Sequence, residues 1–266
     1  METNAKPKTS AQNGRLWGAR HRDWADIQER QFESAYLAVF ERVGLGRATS
    51  YCDVGCGSGL AASLAASRGA KVSGLDAAEN LLAIARDRVP AGDFRAGDLE
   101  DLPFENLAFD VVTGFNSFQY AGNPVTALRE AKRIAKKGGC VVIMTWGPPE
   151  GMQAASLVAA LKPLLPPPPP GAPGPFALSE KAALTALVES AGLKPIDIED
   201  VDCVWSYPDL ATALRGLGSS GVAVRAAENT TQDAVDRAHA AALETFVRPD
   251  GSYEIRAAFR WLLARP

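Results

Sequence analysis

Residues 51–59 read Tyr-Cys-Asp-Val-Gly-Cys-Gly-Ser-Gly, and they stand where an apolar run ends and an alanine-rich run begins. The apolar run, Thr49–Val54, has the composition of a short strand. The run that follows, LAASLAASRG from Leu60, is that of a helix. Between them Gly55, Gly57 and Gly59 permit left-handed backbone and let a ligand approach the main chain closely. A helix that starts there is expected to aim free N–H groups and its positive dipole end at that ligand. The expected seat is the crevice beyond the carboxyl ends of the strands.

The pattern repeats on either side. Lys71–Asp76 and Phe109–Phe115 read as strands, AENLLAIARDRV and Asn123–Lys136 as helices, and a short strand precedes the loop around Asp98. Gly138-Gly139 reads as a turn before the strand Cys140–Trp146. Strands alternating with helices imply βαβ units and a parallel sheet, whose strands are apolar on both faces. Upstream, apolar residues at helical spacing predict one helix over Trp17–Val43. Downstream, MQAASLVAALKPLL predicts a short helix, Ser179 and Gly192 the caps of another, and LKPIDIEDVDCVWSY one or two strands. Helices are expected in PDLATALRGLG and TTQDAVDRAHAAALETFV, and a last strand near Tyr253–Leu262. The proline run around 166–175 predicts a semi-rigid extended linker, and the first dozen residues a disordered tail.

Composition narrows the function. Among 266 residues, 28 Lys+Arg face 31 Asp+Glu without a basic face, which argues against a nucleic-acid partner. Cys52, Cys56, Cys140 and Cys203 lack metal-ligand spacing, and His21 and His239 are the only histidines, so no metal is expected. The polar opening METNAKPKTSAQNG lacks the apolar core of a signal peptide, and no run suits a membrane span. The expectation is a cytoplasmic protein, monomer or homodimer, acting on a small molecule.

A dinucleotide-binding turn would require glycine at position 60, where Leu60 stands, and no Tyr-x-x-x-Lys pair accompanies it. The observed order, Asp53-x-Gly55-x-Gly57-x-Gly59, resembles the first motif of the class I S-adenosylmethionine-dependent methyltransferases. Asp76 after the second strand, Asp98 after the third, FDVVTGFNSFQY and GGCVVIMTW follow in that family's order over roughly residues 48–146. The small-molecule branch, similar to quinone-biosynthesis enzymes, is the nearest.

The resemblance implies an α/β fold: a doubly wound, seven-stranded, mainly parallel sheet with one antiparallel strand, Rossmann-like, under a helical cap. It implies a single domain over 1–266, with tail and cap helices in 1–46, the cofactor half in 47–146, and the remaining sheet with an inserted lid in 147–266. The cofactor would be S-adenosyl-L-methionine, leaving as S-adenosyl-L-homocysteine. Its contacts would come from Asp53, Gly55, Cys56, Gly57, Gly59, Asp76, Ala77, Asp98, Leu99, Asn116 and Gln119. Asp76 would hold the ribose diol and Asp98 the adenine amino group. Bland alternatives are a helix cap for Asp53 and a solvated acidic turn for Asp98.

Methyl transfer asks mainly for orientation, worth roughly 7–11 kcal/mol, so a dedicated base is optional. His21 is the candidate if one exists, against the alternative of a solvated helix histidine. Trp24, Tyr120, Trp146 and Met152 are the candidate acceptor contacts, with Trp17, Phe176 and Trp205 as further walls. Tyr207–Val224 is a candidate lid hinged at Gly218 and Gly221. Asn116-Ser-Phe-Gln119 replaces the Asn/Asp-Pro-Pro-Tyr run of amine- and RNA-modifying relatives, which favours a carbon or oxygen acceptor. The rival readings are a protein or RNA methyltransferase and a non-catalytic binding or scaffold protein.

Overall fold

The computed structural model describes residues 8–167 and 175–266. The proline-run linker falls largely, and the first half of the tail wholly, outside these residues. Strands β1 (Ser50–Val54), β2 (Lys71–Asp76), β3 (Asp93–Ala96), β4 (Phe109–Phe115), β5 (Ala135–Trp146), β6 (Lys194–Tyr207) and β7 (Tyr253–Arg265) form one seven-stranded sheet. Its order is β3-β2-β1-β4-β5-β7-β6. Strands β1 to β5 pair in parallel, and β7 runs antiparallel to both β5 and β6. The sheet is thus mixed and mostly parallel.

The helices are α1 (Ser10–Gly18), α2 (His21–Asp23), α3 (Glu33–Arg42), α4 (Leu60–Ser67), α5 (Glu79–Arg88), α6 (Pro124–Ile134), α7 (Ala154–Ala160), α8 (Lys181–Ser190), α9 (Leu210–Leu217), α10 (Gly221–Asn229) and α11 (Gln232–Leu243). Side chains alternate along the strands, so neighbouring residues feed different cores. Tyr51 joins a cluster with Phe40 of α3, Ala62 of α4 and Leu82 of α5. Its neighbour Cys52 joins Leu128 of α6 and Val188 of α8. Helix α4, LAASLAAS, is half alanine and packs closely from its start: a Cβ on its N-cap Gly59 would stand 2.8 Å from that of Ala85 in α5. No helix among the described residues is long and apolar enough to cross a membrane.

Several elements differ from the sequence reading. The helix expected over Trp17–Val43 is five pieces. Helix α1 begins earlier and ends at Gly18. After α2 come a π turn at Trp24–Gln28 and a 3-10 turn at Glu29–Phe32, before α3. The π turn has a cause outside itself, since the guanidinium of Arg88 takes the carbonyl of Ala25 at 2.9 Å. Gly138 has φ +83 but lies within β5, where the pairing with β4 shifts register. Helix α8 is capped by Glu180, not Ser179, whose hydroxyl bonds the Phe176 carbonyl at 2.7 Å. The expected hinge at Gly221 is the first residue of α10, capped by the Ser220 hydroxyl on the Ala223 amide. Gly221 is small because Trp17 of α1 lies against it, 2.7 Å from where a Cβ would stand.

Candidate active site

The glycine turn lies at the carboxyl end of β1. Its glycines all adopt positive φ, +83 at Gly55, +53 at Gly57 and +78 at Gly59. Beside it Asn116 follows the last residue of β4 and takes φ +52 despite its side chain, a conformation non-glycine residues rarely hold. Ser117 follows and locks the turn to β4, donating its hydroxyl to the Val54 carbonyl at 2.5 Å.

A cavity opens between these strand ends. Gly55, Gly57, Asp76, Ala77, Asp98 and Leu99 line one side, and Asn116, Ser117 and Tyr120 another. Trp24, Phe32, Tyr36 and Phe115 add a run of aromatic rings, each meeting the next, with Trp24 beside Gly57. Helix α1 closes the mouth. The side chains of Thr9 and Asn13 both donate to the Tyr120 carbonyl, at 2.8 and 2.9 Å. Gly14 sits so close to Ala77 that a Cβ would stand 2.3 Å from its carbonyl oxygen. Trp17 meets Trp24 and Tyr120 edge to face, with ring centres at 5.0 and 5.5 Å.

Of the residues expected to hold a cofactor, Gly55, Gly57, Asp76, Ala77, Asp98, Leu99 and Asn116 line the cavity together. Asp76 accepts the amides of Gly57 and Ala78, each at 2.8 Å. Asp98 accepts the Glu100 amide at 2.9 Å through Oδ1, while its buried Oδ2 has no partner within the protein. Asp53 lies buried beneath the turn and accepts the Thr113 hydroxyl at 2.9 Å. Cys56 is buried with its thiol packed where a Cβ on Gly74 would be, and Gly59 packs on α5, so neither lines the cavity. Gln119 also stands outside the lining, its amide 3.4 Å from the Asn116 side-chain oxygen.

Of the acceptor candidates, Trp24 and Tyr120 line the cavity, and so does Trp17. Trp146 stands one layer back, stacked on Phe259 at 5.1 Å, which in turn meets Phe32 at 5.1 Å. Met152 accepts the Ala258 amide on its sulfur at 3.2 Å and does not line the cavity. His21 is outside the lining as well; its Nδ1 lies 3.0 Å from the Gly18 carbonyl at the end of α1. His239 is buried in α11, where burial pushes it down to about 4.

The sequence reading missed Glu29 and Arg88. Glu29 is buried, and its carboxylate takes the Ser58 hydroxyl at 2.6 Å, the Leu60 amide at 3.3 Å and Arg88 Nη1 at 2.5 Å. The first amide of α4 is therefore not free, as expected from the turn alone, but held by a carboxylate from the cap. No local signal marks Glu29, which stands among Asp26, Gln28, Arg30, Gln31 and Glu33 in a polar stretch. Asn13 and Thr9 were missed because they fall in what reads as tail.

Buried acids dominate the electrostatics. Burial raises the Asp53 carboxyl to about 7, against the bond from Thr113 and with help from Glu29 and Asp76. Burial raises Glu29 and Asp76 in the same direction, against Arg88 for the first and backbone amides for the second. An acid with a raised folded pKa stabilises the fold at low pH and loses that contribution as pH climbs through the folded value. The ligand-free protein is thus expected to lose stability as pH rises from near 3.8 to about 7, and Asp53→Asn to lose it less. Thermal unfolding of both proteins across that window checks this; equal slopes would remove Asp53 as the cause.

Known proteins share this frame. A family model described as a methyltransferase domain matches residues 52–143. A malonyl-[acyl-carrier protein] O-methyltransferase of Erwinia pyrifoliae is 30% identical over 183 residues, 69% of this chain and 66% of that protein. The chain belongs to the S-adenosylmethionine-dependent methyltransferases. A second relative in this methyltransferase family is a ubiquinone biosynthesis O-methyltransferase of Pseudomonas paraeruginosa, 37% identical over 112 residues, 40% of this chain and 48% of that protein. The chain spans less than two thirds of either relative's length. The geranyl diphosphate C-methyltransferase of Streptomyces coelicolor, solved with Mg2+, geranyl diphosphate and S-adenosyl-L-homocysteine, shares the fold. Its TM-score is 0.51 at 18% identity, covering 89% of this chain and 80% of that one.

The methyltransferase cofactor is S-adenosylmethionine, and the cavity suits it. The unpartnered Asp98 Oδ2 is an acceptor without a donor, which an adenine amino group would supply. A cationic sulfonium meets acids and aromatic faces rather than lysines.

Proposed function

We propose that this chain transfers a methyl group from S-adenosylmethionine to an oxygen or carbon atom of a small acceptor. One observation carries the reading: the glycine turn, Asp76 and Asp98 line a single cavity together with the aromatic faces of Trp24, Phe32, Tyr36 and Phe115. Asp76 would hold the ribose diol with lone pairs left over from its two amide bonds, and Asp98 Oδ2 the adenine. Asp53, Gly55, Gly57, Ala77, Leu99 and Asn116 would complete the seat. When bound, the cofactor supplies an electrophilic methyl group.

What the chain adds is placement and dryness. Trp24, Phe32, Tyr36 and Phe115 would hold a flat or apolar acceptor, and Tyr120 with α1 would keep water out. Trp146 would act from behind, by fixing Phe259 and through it Phe32. His21 lies outside the cavity lining, so orientation carries the reaction in this reading rather than proton transfer. The doubly wound description of the sheet rests on α3 to α5 and α6 with α8 belonging to different core clusters. The likeness to O-methyltransferases of quinone and biotin pathways supports an oxygen acceptor.

Calorimetric titration with S-adenosylhomocysteine is expected to show one site. A screen of phenols, indoles and quinones with labelled cofactor is then expected to find a methylated product. Absence of any binding overturns the reading. Binding without turnover of any acceptor favours a scaffold protein instead.

A further inference from the structure

A glycine turn leading into a helix is elsewhere a seat for phosphate, because its amides point outward unpaired. Here they do not. The Gly55 and Cys56 amides both donate to the Leu75 carbonyl, at 2.7 and 2.9 Å. The Gly59 amide donates to the Cys56 carbonyl at 2.9 Å. The Gly57 amide goes to Asp76 at 2.8 Å, and the Leu60 amide to Glu29 at 3.3 Å. The two acceptors that are not main chain are both carboxylates, and only Glu29 comes from outside the turn-and-sheet unit.

Glu29 reaches in from the 3-10 turn of the cap, with its side chain 4% exposed. It stands close to the cavity wall, its Oε1 3.6 Å from where a Cβ on Gly57 would be. Arg88, at the end of α5, is held behind it through both Nη atoms. Nη1 serves Glu29 and the Ser58 carbonyl, and Nη2 the Ala25 carbonyl. We infer that Glu29 determines cofactor specificity: its carboxylate seals the turn and neutralises Arg88, and so keeps phosphate-bearing nucleotides out of the cavity. A phosphate at the turn would meet Glu29, Asp53 and Asp76 with no unpaired amide among those five and with Arg88 already spent. A nucleoside whose side chain carries a positive charge meets the same acids favourably. The inference uses the cofactor reading only in taking this cavity as the nucleoside's seat.

The test is calorimetric titration of the full chain with ADP and with S-adenosylhomocysteine. The parent protein is expected to bind S-adenosylhomocysteine and to bind ADP far more weakly. Glu29→Gln keeps the shape and one accepting oxygen, but its amide nitrogen cannot accept as the second carboxylate oxygen does, and the Arg88 cation is stranded beside the turn. The ratio of ADP to S-adenosylhomocysteine affinity is expected to rise about tenfold or more. Glu29→Asp keeps the charge but withdraws it from Leu60, and is expected to raise the ratio by less. General damage to the fold would weaken both ligands and leave their ratio alone.

Parent protein that binds ADP as tightly as S-adenosylhomocysteine overturns the inference, whatever the variants do. So does a Gln variant with an unchanged ratio, and both results leave the methyltransferase reading intact. Parent protein that binds no S-adenosylhomocysteine, while the Gln variant gains ADP, overturns that reading and keeps the role of Glu29.

Discussion

Asp76→Ala is expected to bind S-adenosylhomocysteine at least about a hundredfold more weakly than the parent protein. Asp76 does two jobs with one carboxylate. It pins the Gly57 and Ala78 amides at 2.8 Å each, which fixes the glycine turn against the end of β2. It also lines the cavity, with lone pairs left for a ribose. Hydrogen bonds to charged groups are worth about 1.5–3 kcal/mol each, and losing two on the ligand side alone passes a hundredfold. Alanine further leaves two backbone amides without their acceptor and frees the turn to move. Calorimetry gives the number, with circular dichroism to show that the fold survives. Affinity within threefold of the parent would mean that the ribose is held elsewhere.

Gly55→Ala is expected to lower the melting temperature by roughly 10 °C. A methyl group at this position would stand 2.3 Å from the Ser117 Cβ and 3.0 Å from its hydroxyl oxygen. Neither neighbour can withdraw easily, because Ser117 is itself bonded to the Val54 carbonyl. Overpacking of this kind costs about 1–3 kcal/mol. The φ of +83 adds a left-handed penalty of about 1–2 kcal/mol for any residue with a Cβ. Differential scanning calorimetry on the ligand-free variant measures the sum. A melting point within 2 °C of the parent would show that the β1–β4 junction is loose, and with it the cavity floor.

The core of this site is legible in the chain because it is built from local pattern. Strands β2 and β4 fall where the apolar runs place them, Asp76 ends one of them, and the glycines of the turn all take the positive φ that their presence implies. What reads poorly is whatever depends on distant partners. Helix α1, SAQNGRLWG, has little apolar periodicity of its own. It is helical over the cavity because Asn13 and Thr9 find the Tyr120 carbonyl and Gly14 fits against Ala77. Glu29 looks like an ordinary helix acid until Arg88, 59 residues away, is folded against it. Trp146 and Met152 are apolar and near a strand end, as an acceptor wall should be. The reversed strand β7 places Phe259 and Ala258 against them, and so they do not line the cavity. Helix α10 is hard to read because Gly218 and Gly221 around its start suggest looseness, whereas Gly221 is there to admit Trp17.

The position of β7 governs how the chain can assemble. Strand β7 comes after β6 in the sequence yet lies between β5 and β6 in space, and β6 pairs with nothing else in the sheet. Until β7 docks, β5 has β4 on one flank and bare main chain on the other. Such an open border is a template for another molecule's strand. Strand β6 can therefore join the sheet only through β7, and the docking of β7 is the step that covers this border.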